Sequence, residues 1–499
     1  MFKIASLLAL AGLVSAAVNV EQVHLGLATS AINCANGISV EFASASDKPM
    51  TVTYSAKGDA TKTATTTVES YSVAAATYNY TSPYFHTALL CNLKSITSYT
   101  YDIIQADTGC GSLFSSKFVT APAPGSDAVP TVFGIVGDVG SEHIMDTLQN
   151  MAVGMNGTVA QALIVVGDYA YANGQHEQWD AWYNQGQDVF STVPTLGING
   201  NHETIKGGGA TKPKDKNKYI AENYIGYIHR SNNPITTAQK NALRTYFSVD
   251  IGLVHCVFLD DYAGTRGANK TFIGTQAWLD ERNLQLQWLQ TDLSTVDRTK
   301  TPWVLVLKHN PYYNSWNIHQ CQCDATRFEI SNPENCWKGI YGNSSDAAVS
   351  SQPHCANQAK FEDVYLKYGV NLVIAGHVHA YERTAPIVKN KVDSKNGIVY
   401  MTTGAGGHGN VCVRLDAIPS WSVSATSEAF AATRLVATKD ALSVYTTANQ
   451  VDTVLDSFQV TKNGVVNLQT NINQNTSNLS VDSDFCHKIS QYTNTKHKY

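Results

Sequence analysis

Five short segments of the sequence carry carboxylate, amide, phenol and imidazole side chains directly after apolar runs rich in β-branched residues. They are GDVG at 137–140, GDYAY at 167–171, GNHE at 200–203, KHNP at 308–311 and GHVH at 376–379. Any one of them alone is typical of a turn, a helix cap or a structural histidine. Five such segments with the same oxygen and nitrogen donors are hard to obtain by chance, and these donors suit a pair of metal ions.

Apolar strands must position these segments. The runs that predict strands are 132–136, 163–166, 195–198, 253–259, 304–307, 372–375 and 398–402. Amphipathic stretches lie between several of them, and strands that alternate with helices predict an α/β domain. In open α/β sheets the chemistry lies at the carboxyl ends of the strands. The sequence therefore predicts that Asp168 and Tyr171 lie at such an edge, with positive charge between them.

The rest of the chain divides by composition. Residues 18–119 contain short alternating runs separated by turn residues, which predicts a small β-sandwich. The stretch TAPAPGSDAVP at 120–130 is a linker and the clearest boundary. The α/β domain is expected at 131–463. The polar, Asn-rich remainder at 464–499 is expected to be a tail.

The N-terminus predicts export. Residues 1–17 combine Lys3, an apolar run at 4–14 and small residues at 15–17, the pattern of a signal peptide. Secretion, or delivery to a vacuole, follows, and ten later cysteines suit an oxidising compartment. The cysteines at 321, 323, 336 and 355 predict a disulfide-tied loop over the site, with the pairing left open. Glycosylation sequons occur at Asn79, Asn156, Asn269, Asn343, Asn475 and Asn478.

Charge and hydropathy exclude some partners. The formal net charge of −5 gives no reason to expect nucleic acid or an acidic membrane surface as a partner. After the signal peptide, no run of about 20 apolar residues predicts a membrane span. The oligomeric state stays open at this stage.

The five segments and their order resemble the purple acid phosphatases, a group within the calcineurin-like metallophosphoesterases. The resemblance extends to HVHAYER at 377–383 and NPYYN at 310–314, and it covers essentially the whole mature chain. It implies an α/β two-sheet metallophosphoesterase sandwich preceded by an all-β fibronectin-III-like domain. Tyr171 is the most specific feature, because related phosphoesterases lack a tyrosine there and usually have a histidine where this chain has Gly140.

The resemblance also implies two metal sites that share Asp168. The implied ligands of one metal are Asp138, Asp168, Tyr171 and His379. The implied ligands of the other are Asp168, Asn201, His309 and His377. Carboxylates and a phenolate favour Fe(III), whereas an amide oxygen and two imidazoles suit a divalent Zn, Mn or Fe ion.

The activity implied by the resemblance is hydrolysis of small phosphate monoesters by a secreted acid phosphatase, with metal-bound hydroxide as nucleophile. His202 is expected to protonate the leaving group, and His319 to contact the phosphate. Both histidines, with Asn201, are the implied substrate-binding residues. Related plant proteins often have a further histidine where this chain has Ile318, so the identity of the general acid stays open.

Other functions are also compatible with the same fold. A phosphodiesterase or nucleotidase would use the same metal centre. A phytase is suggested by lysines at 206, 212, 214, 216 and 218, although the interpretation of these lysines as a solvated loop is favoured. A secreted binding protein that lost turnover is disfavoured, because all seven ligand positions are intact.

Several polar residues near the motifs are interpreted as structural. His255 lies within a predicted strand and is expected to be a core histidine. Glu203 and Glu382 are expected to orient ligands or pair with arginine. His176 is interpreted as a loop residue outside the site. His408 follows a predicted strand and could approach the site, but the interpretation as a loop residue is favoured.

Overall fold

The computed structural model describes residues 19–105, 111–153, 158–208, 218–265, 272–340, 353–409, 412–451 and 453–468. No helix in these ranges has the length and apolar character needed to cross a membrane. Among the sequons, Asn79 lies in a described range and its side chain is exposed. The predicted signal peptide and the sequons at Asn156, Asn269, Asn343, Asn475 and Asn478 lie outside the described residues.

The described chain begins with an all-β region. Its strands are β1 Val20–Ala28, β2 Gly37–Ser44, β3 Thr51–Ala56, β4 Lys62–Thr65, β5 Thr67–Glu69, β6 Ser72–Ala75, β7 Tyr78–Thr81, β8 Tyr84–Leu90, β9 Ser98–Ile104 and β10 Phe114–Val119. They form two four-stranded sheets, β1-β2-β8-β5 and β10-β9-β3-β4, and a separate β6–β7 hairpin. Alternate residues such as Val40, Phe42, Tyr101 and Ile103 share one core. This arrangement is consistent with the predicted fibronectin-like sandwich.

Two mixed seven-stranded sheets follow, together with a separate two-stranded ribbon formed by Ile387–Val388 and Lys391–Val392. The strands are β11 Thr131–Val136, β12 Ala162–Val166, β13 Thr195–Ile198, β14 Phe247–Ile251, β15 Val254–Phe258, β16 Trp303–Leu307, β17 Leu372–Ala375, β18 Tyr381–Thr384, β19 Ile387–Val388, β20 Lys391–Val392, β21 Val399–Thr403, β22 Ser422–Thr426, β23 Ala431–Ala437, β24 Ala441–Ala448, β25 Val454–Thr461 and β26 Gly464–Asn467. One sheet has the order β13-β12-β11-β23-β24-β25-β26, and the other β14-β15-β16-β17-β21-β18-β22. Strands β11 to β13 are parallel, as are β15, β16, β17 and β21.

The two sheets pack against each other. Phe133 and Ile135 of the first sheet belong to the same buried core as Leu305, Leu307 and Ile374 of the second. Their sequence neighbours point to the outer faces and are covered there by helices. Because both faces of these strands are buried, they appear in the sequence as continuous apolar runs. The predicted two-sheet α/β sandwich is confirmed.

Helices cover the outer faces of both sheets. They are α1 Ile144–Ala152, α2 Glu177–Phe190, α3 Asn201–Thr204, α4 Ile225–Arg230, α5 Thr237–Asn241, α6 Gln276–Ser294, α7 Pro333–Trp337 and α8 Gln358–Tyr368. Leu148 of α1 and Trp182 of α2 pack on the first sheet. Leu289 of α6 and Phe361 of α8 pack on the second. Helix α8 ends at Gly369, whose φ of 66° is left-handed, as a glycine C-terminal cap requires.

The individual strands in the carboxyl-terminal part of the first sheet were not predicted from the sequence. Strands β23 to β26 extend it, and Gly464–Asn467 pairs antiparallel with β25. The structured part therefore continues past residue 463, where the sequence suggested that a tail begins. The reason is that β26 lies at the sheet edge, where none of its residues is buried, so its residues need no apolar alternation.

His255 is buried on β15 between two carboxylates, in agreement with its interpretation as a core histidine. Its Nδ1 lies 2.6 Å from Asp250 Oδ1 and its Nε2 lies 3.0 Å from Asp292 Oδ2. Burial alone lowers the pKa of an imidazole, but hydrogen bonds to Asp250 and then Asp292 outweigh it and raise the pKa of His255 to about 9. The stabilising charge is therefore fully present below the unfolded pKa of about 6.5 and is lost as the pH rises through about 9.

We expect the His255→Gln variant to lose this pH-dependent stability. The gap in free energy of unfolding between wild type and variant is expected to shrink by about 2–3 kcal/mol between pH 6 and pH 10, as the raised pKa requires. Urea denaturation at the two pH values measures it. The same gap at both pH values would mean that His255 stays neutral in the folded protein.

Candidate metal centre

The loops after β11, β12, β13, β16 and β17 meet where the two sheets adjoin. Backbone hydrogen bonds join them: the Asp138 N–H donates to the Gly167 carbonyl at 3.0 Å, and the Gly376 N–H to the His309 carbonyl at 2.9 Å. Gly167 has a φ of +90°, and a Cβ there would collide with the His309 ring. Only glycine allows this approach. All seven predicted ligand residues lie around these loops.

One group of donors surrounds the hydroxyl of Tyr171. That hydroxyl lies 3.0 Å from Asp138 Oδ1 and 3.0 Å from His379 Nε2. The imidazole and the carboxylate are themselves 3.3 Å apart. Three residues from three separate loops thus direct a phenol oxygen, a carboxylate oxygen and an imidazole nitrogen at one point.

A second group is built around Asp168. His309 Nε2 lies 3.2 Å from Asp168 Oδ2 and 3.0 Å from Asn201 Oδ1. The other nitrogen of His309 is bonded to the Val166 carbonyl at 2.8 Å, which holds Nε2 towards the group. One donor atom each from Asp168, His309 and His377 lie within 4.8 Å of one another. Such spacing is compact enough for one ion.

The two groups are contiguous. The His377 backbone N–H donates to Asp138 Oδ2 at 2.6 Å, so a residue of the second group anchors a residue of the first. The rings of His309 and His377 are 4.9 Å apart. The donor residues that the sequence predicts at the ends of separate strands thus lie next to one another in the structure.

Four of these residues adopt left-handed backbone conformations. The φ angles are 60° at Asp138, 54° at Asp168, 51° at Tyr171 and 67° at His377. Non-glycine residues pay about 1 kcal/mol or more for such conformations, which concentrate at functional sites. The surrounding strands and loop hydrogen bonds therefore hold the donors against a local energetic cost.

The electrostatics of the centre require positive charge. Asp138 and Asp168 are 0% and 1% exposed. Burial, and then the charges of Asp138 and Asp168, raise the pKa of Tyr171 well above its usual range, so the phenol ionises only beside a cation. His377 Nε2 is buried, and within the described residues it has no hydrogen-bond partner. An orphaned imidazole nitrogen beside buried carboxylates fits cation binding, and the donors present suit one hard and one borderline metal.

Glu203 holds the loop that carries Asp168. It is fully buried and accepts hydrogen bonds from the backbone N–H groups of Asp168, Tyr169 and Gly200 at 2.7–2.9 Å. Glu382 is also buried; it accepts from Ser315 N at 3.0 Å and lies 3.8 Å from Arg414. Glu203 thus orients a loop that carries a ligand, and Glu382 pairs with an arginine, which are the two roles expected from the sequence.

The two predicted substrate histidines border the donors. His202 Nε2 lies 3.8 Å from Asp168 Oδ2, and its Nδ1 is 2.5 Å from Asn173 Oδ1. His319 lies on the other side, with its ring 3.9 Å from that of His377. Ile318 packs with Trp316 and Val378 in a small apolar cluster, which accounts for a hydrophobic residue at that position.

His408 is not an outlying loop residue, contrary to its interpretation from sequence. Its ring stacks on the Tyr171 ring with a centroid distance of 3.5 Å and an interplanar angle of 24°. A Cβ at Gly140 would lie 3.1 Å from His408 Cβ, so the imidazole fills the space beside that glycine. The position of His408 after a strand indicated that it could approach the site, but nothing in the sequence pointed to Tyr171 as its contact, because about 240 residues separate the two.

His354 was also missed. It is 4% exposed, and its ring lies 5.7 Å from that of His377. It precedes Cys355, which pairs with Cys321, and Cys323 pairs with Cys336. The predicted disulfide-tied segment therefore exists and borders the centre. The only indication of this contact in the sequence is that His354 directly precedes Cys355.

Comparison with known proteins identifies the class. Residues 131–381, about half of the chain, match the calcineurin-like phosphoesterase family. The chain therefore belongs to the calcineurin-like phosphoesterases. Within them it is similar to purple acid phosphatases, and the resemblance inferred from the five segments is confirmed.

Two curated relatives illustrate the similarity. Purple acid phosphatase 1 of Ipomoea batatas is 28% identical over 371 residues, which are 70% of this chain and 65% of the relative. The Fe(3+)-Zn(2+) purple acid phosphatase 12 of Arabidopsis thaliana is 26% identical over 348 residues, which are 66% of this chain and 61% of the relative. The match thus spans just under two thirds of these relatives.

A solved structure agrees in fold. The purple acid phosphatase of yellow lupin (Lupinus luteus) seeds superposes with a TM-score of 0.68 at 20% identity. The match covers 89% of this chain and 74% of that one. At this identity the similarity concerns the fold alone.

Proposed function

We propose that the protein is a secreted acid phosphatase that hydrolyses phosphate monoesters at a dinuclear metal centre. The observation that carries the proposal is the contiguous set of seven donors, in which the orphaned His377 Nε2 and the buried carboxylates call for cations. Export, glycosylation at the sequons and the domain limits inferred above belong to the same proposal, except that the catalytic domain extends through Asn467.

We assign Asp138, Tyr171 and His379 to Fe(III), and Asn201, His309 and His377 to a divalent Zn, Mn or Fe ion, with Asp168 shared. The chemical hardness of each donor group supports this division, as does the Fe(3+)-Zn(2+) name of the Arabidopsis relative. When bound, such a pair supplies Lewis-acid activation of water and neutralises charge during in-line displacement at phosphorus.

His202 has the geometry of a proton carrier for the leaving oxygen. Its Nδ1–H donates to Asn173 Oδ1, which leaves Nε2 to face the centre. Burial lowers the pKa of the free imidazole to about 3. A bound phosphate ester brings negative charge beside the ring and raises that pKa, so His202 takes up a proton as the ester binds and delivers it to the departing alkoxide. His319 and Asn201 orient the phosphate.

Metal analysis together with turnover tests the proposal. The purified protein is expected to contain about one iron and one divalent ion per chain, in keeping with a two-metal site. At acid pH it is expected to cleave 4-nitrophenyl phosphate faster than bis(4-nitrophenyl) phosphate. Bound metals with faster diester cleavage would instead identify a phosphodiesterase. Bound metals with no turnover of any ester would identify a binding protein.

The choice among monoesters is a separate question. Lys206 is exposed just after His202, whereas Lys212, Lys214 and Lys216 lie outside the described residues. A basic surface there would attract polyphosphorylated substrates. Comparing phytate and a nucleoside monophosphate with a simple aryl phosphate, at low and high salt, distinguishes a phytase or nucleotidase from a general phosphatase.

A further inference from the structure

The β6–β7 hairpin of the N-terminal sandwich contacts the start of helix α2. The Tyr78 hydroxyl accepts a hydrogen bond from the His176 backbone N–H at 2.8 Å and donates one to Glu177 Oε2 at 2.8 Å. The Tyr80 hydroxyl donates to Asp180 Oδ2 at 2.8 Å. Two tyrosines of one short hairpin thus satisfy polar groups in the first turn of a helix that belongs to the other part of the protein.

Further hydrogen bonds and ring contacts surround the start of helix α2. The ring nitrogen Nδ1 of His176 lies 2.8 Å from the Tyr71 hydroxyl, and its ring stacks on Tyr80. Arg230 is fully buried, and its Nη2 lies 2.9 Å from Asp180 Oδ1. The contact is therefore a buried polar network, in which each group depends on the position of its partners.

The segment held in this way, residues 172–176, leads directly to the candidate metal centre. Tyr171 and Asn173 have left-handed φ angles of 51° and 53°, which cost a non-glycine residue energy, whereas Gly174 adopts its φ of 89° without strain. Asn173 Oδ1 accepts from His202 Nδ1. Gly174 N–H donates to the buried Glu222 at 2.7 Å. The turn that orients His202 is thus clamped by Glu222 on one side and by the hairpin on the other.

We propose that the β6–β7 hairpin is a positioning element for catalysis: through Tyr78 it fixes the 172–176 turn, and through Asn173 it fixes the orientation and tautomer of His202. This inference rests on the phosphatase function proposed above. It gives the N-terminal sandwich a role in the reaction, although none of its described residues forms a hydrogen bond with a proposed metal ligand. Tyr78 is a positioning residue, not a catalytic one.

The test replaces Tyr78 with phenylalanine in the full-length protein. The variant is expected to keep its metal content and its KM while kcat falls about tenfold, as expected when a catalytic group is misplaced. The loss is expected to be larger for an alkyl phosphate than for 4-nitrophenyl phosphate, because a poor leaving group depends more on proton delivery. Tyr84→Phe is the matched control: in the described residues Tyr84 lies in the same sandwich without a hydrogen bond to this turn.

Two further measurements decide the outcome. In a His202→Ala background, Tyr78→Phe is expected to cause no additional loss of kcat. Hydrogen exchange of residues 172–177 is expected to accelerate in Tyr78→Phe and not in Tyr84→Phe. Equal losses for both esters, or a loss that persists without His202, would overturn the inference. If the wild type hydrolyses no ester, the proposed function fails, and unchanged exchange at 172–177 would then overturn the hairpin's role independently.

Discussion

Replacement of Asp168 by asparagine is expected to abolish binding of both metal ions and to lower phosphatase turnover by a factor on the order of 10³ or more. Asp168 is 1% exposed and lies 3.2 Å from His309, and it is the residue assigned to both ions. Asparagine keeps the shape but removes one negative charge and one anionic ligand. Metal analysis after dialysis, together with the initial rate on 4-nitrophenyl phosphate, measures the effect.

The Asp168→Asn variant is expected to remain folded. Glu203 contacts the loop through backbone N–H groups of residues 168, 169 and 200, which the substitution leaves in place. Asp363→Asn is the control, because that carboxylate is 57% exposed on α8 and pairs with Lys389. It is expected to keep both metals. Full retention of two ions by Asp168→Asn would refute the shared role of this carboxylate.

Tyr171→Phe is expected to remove the broad visible absorption band that a phenolate bound to Fe(III) would produce. Because burial and the nearby carboxylates raise the pKa of this phenol well above its usual range, its ionised form depends on a neighbouring cation. Without the hydroxyl, no phenolate is available to the iron. The absorption spectrum of the iron-loaded variant, with its iron content, measures the effect.

The matched control is the neighbouring Tyr169→Phe. Tyr169 is equally buried, but its hydroxyl points back to the Val165 carbonyl at 3.5 Å and its ring packs on Trp182. This variant is expected to keep the band. An unchanged spectrum in Tyr171→Phe, at equal iron content, would exclude Tyr171 as a ligand and with it the assignment of Fe(III) to that group.

Strand ends and the edge of the first sheet show which parts of the fold could be predicted from the sequence. The seven strands predicted for the α/β domain end within one residue of their observed ends, for example Thr195–Ile198 and Leu372–Ala375. The edge strand Gly464–Asn467 was taken for a tail, because an exposed edge carries little apolar pattern. The local pattern of apolar residues therefore indicates which strands are buried, but it gives little indication of a strand that pairs at an exposed sheet edge.

The candidate donor residues and the strands that end at them were predictable from the sequence alone, because burial and metal coordination restrict residue types over a few neighbouring positions. It could not show that His408 stacks on Tyr171, that His354 approaches His377, or that Asn173 orients His202. The first two contacts join residues about 240 and 23 positions apart, and all three involve loops. They exist only once the two sheets pack, since loop side chains take their positions from tertiary packing and not from local propensity.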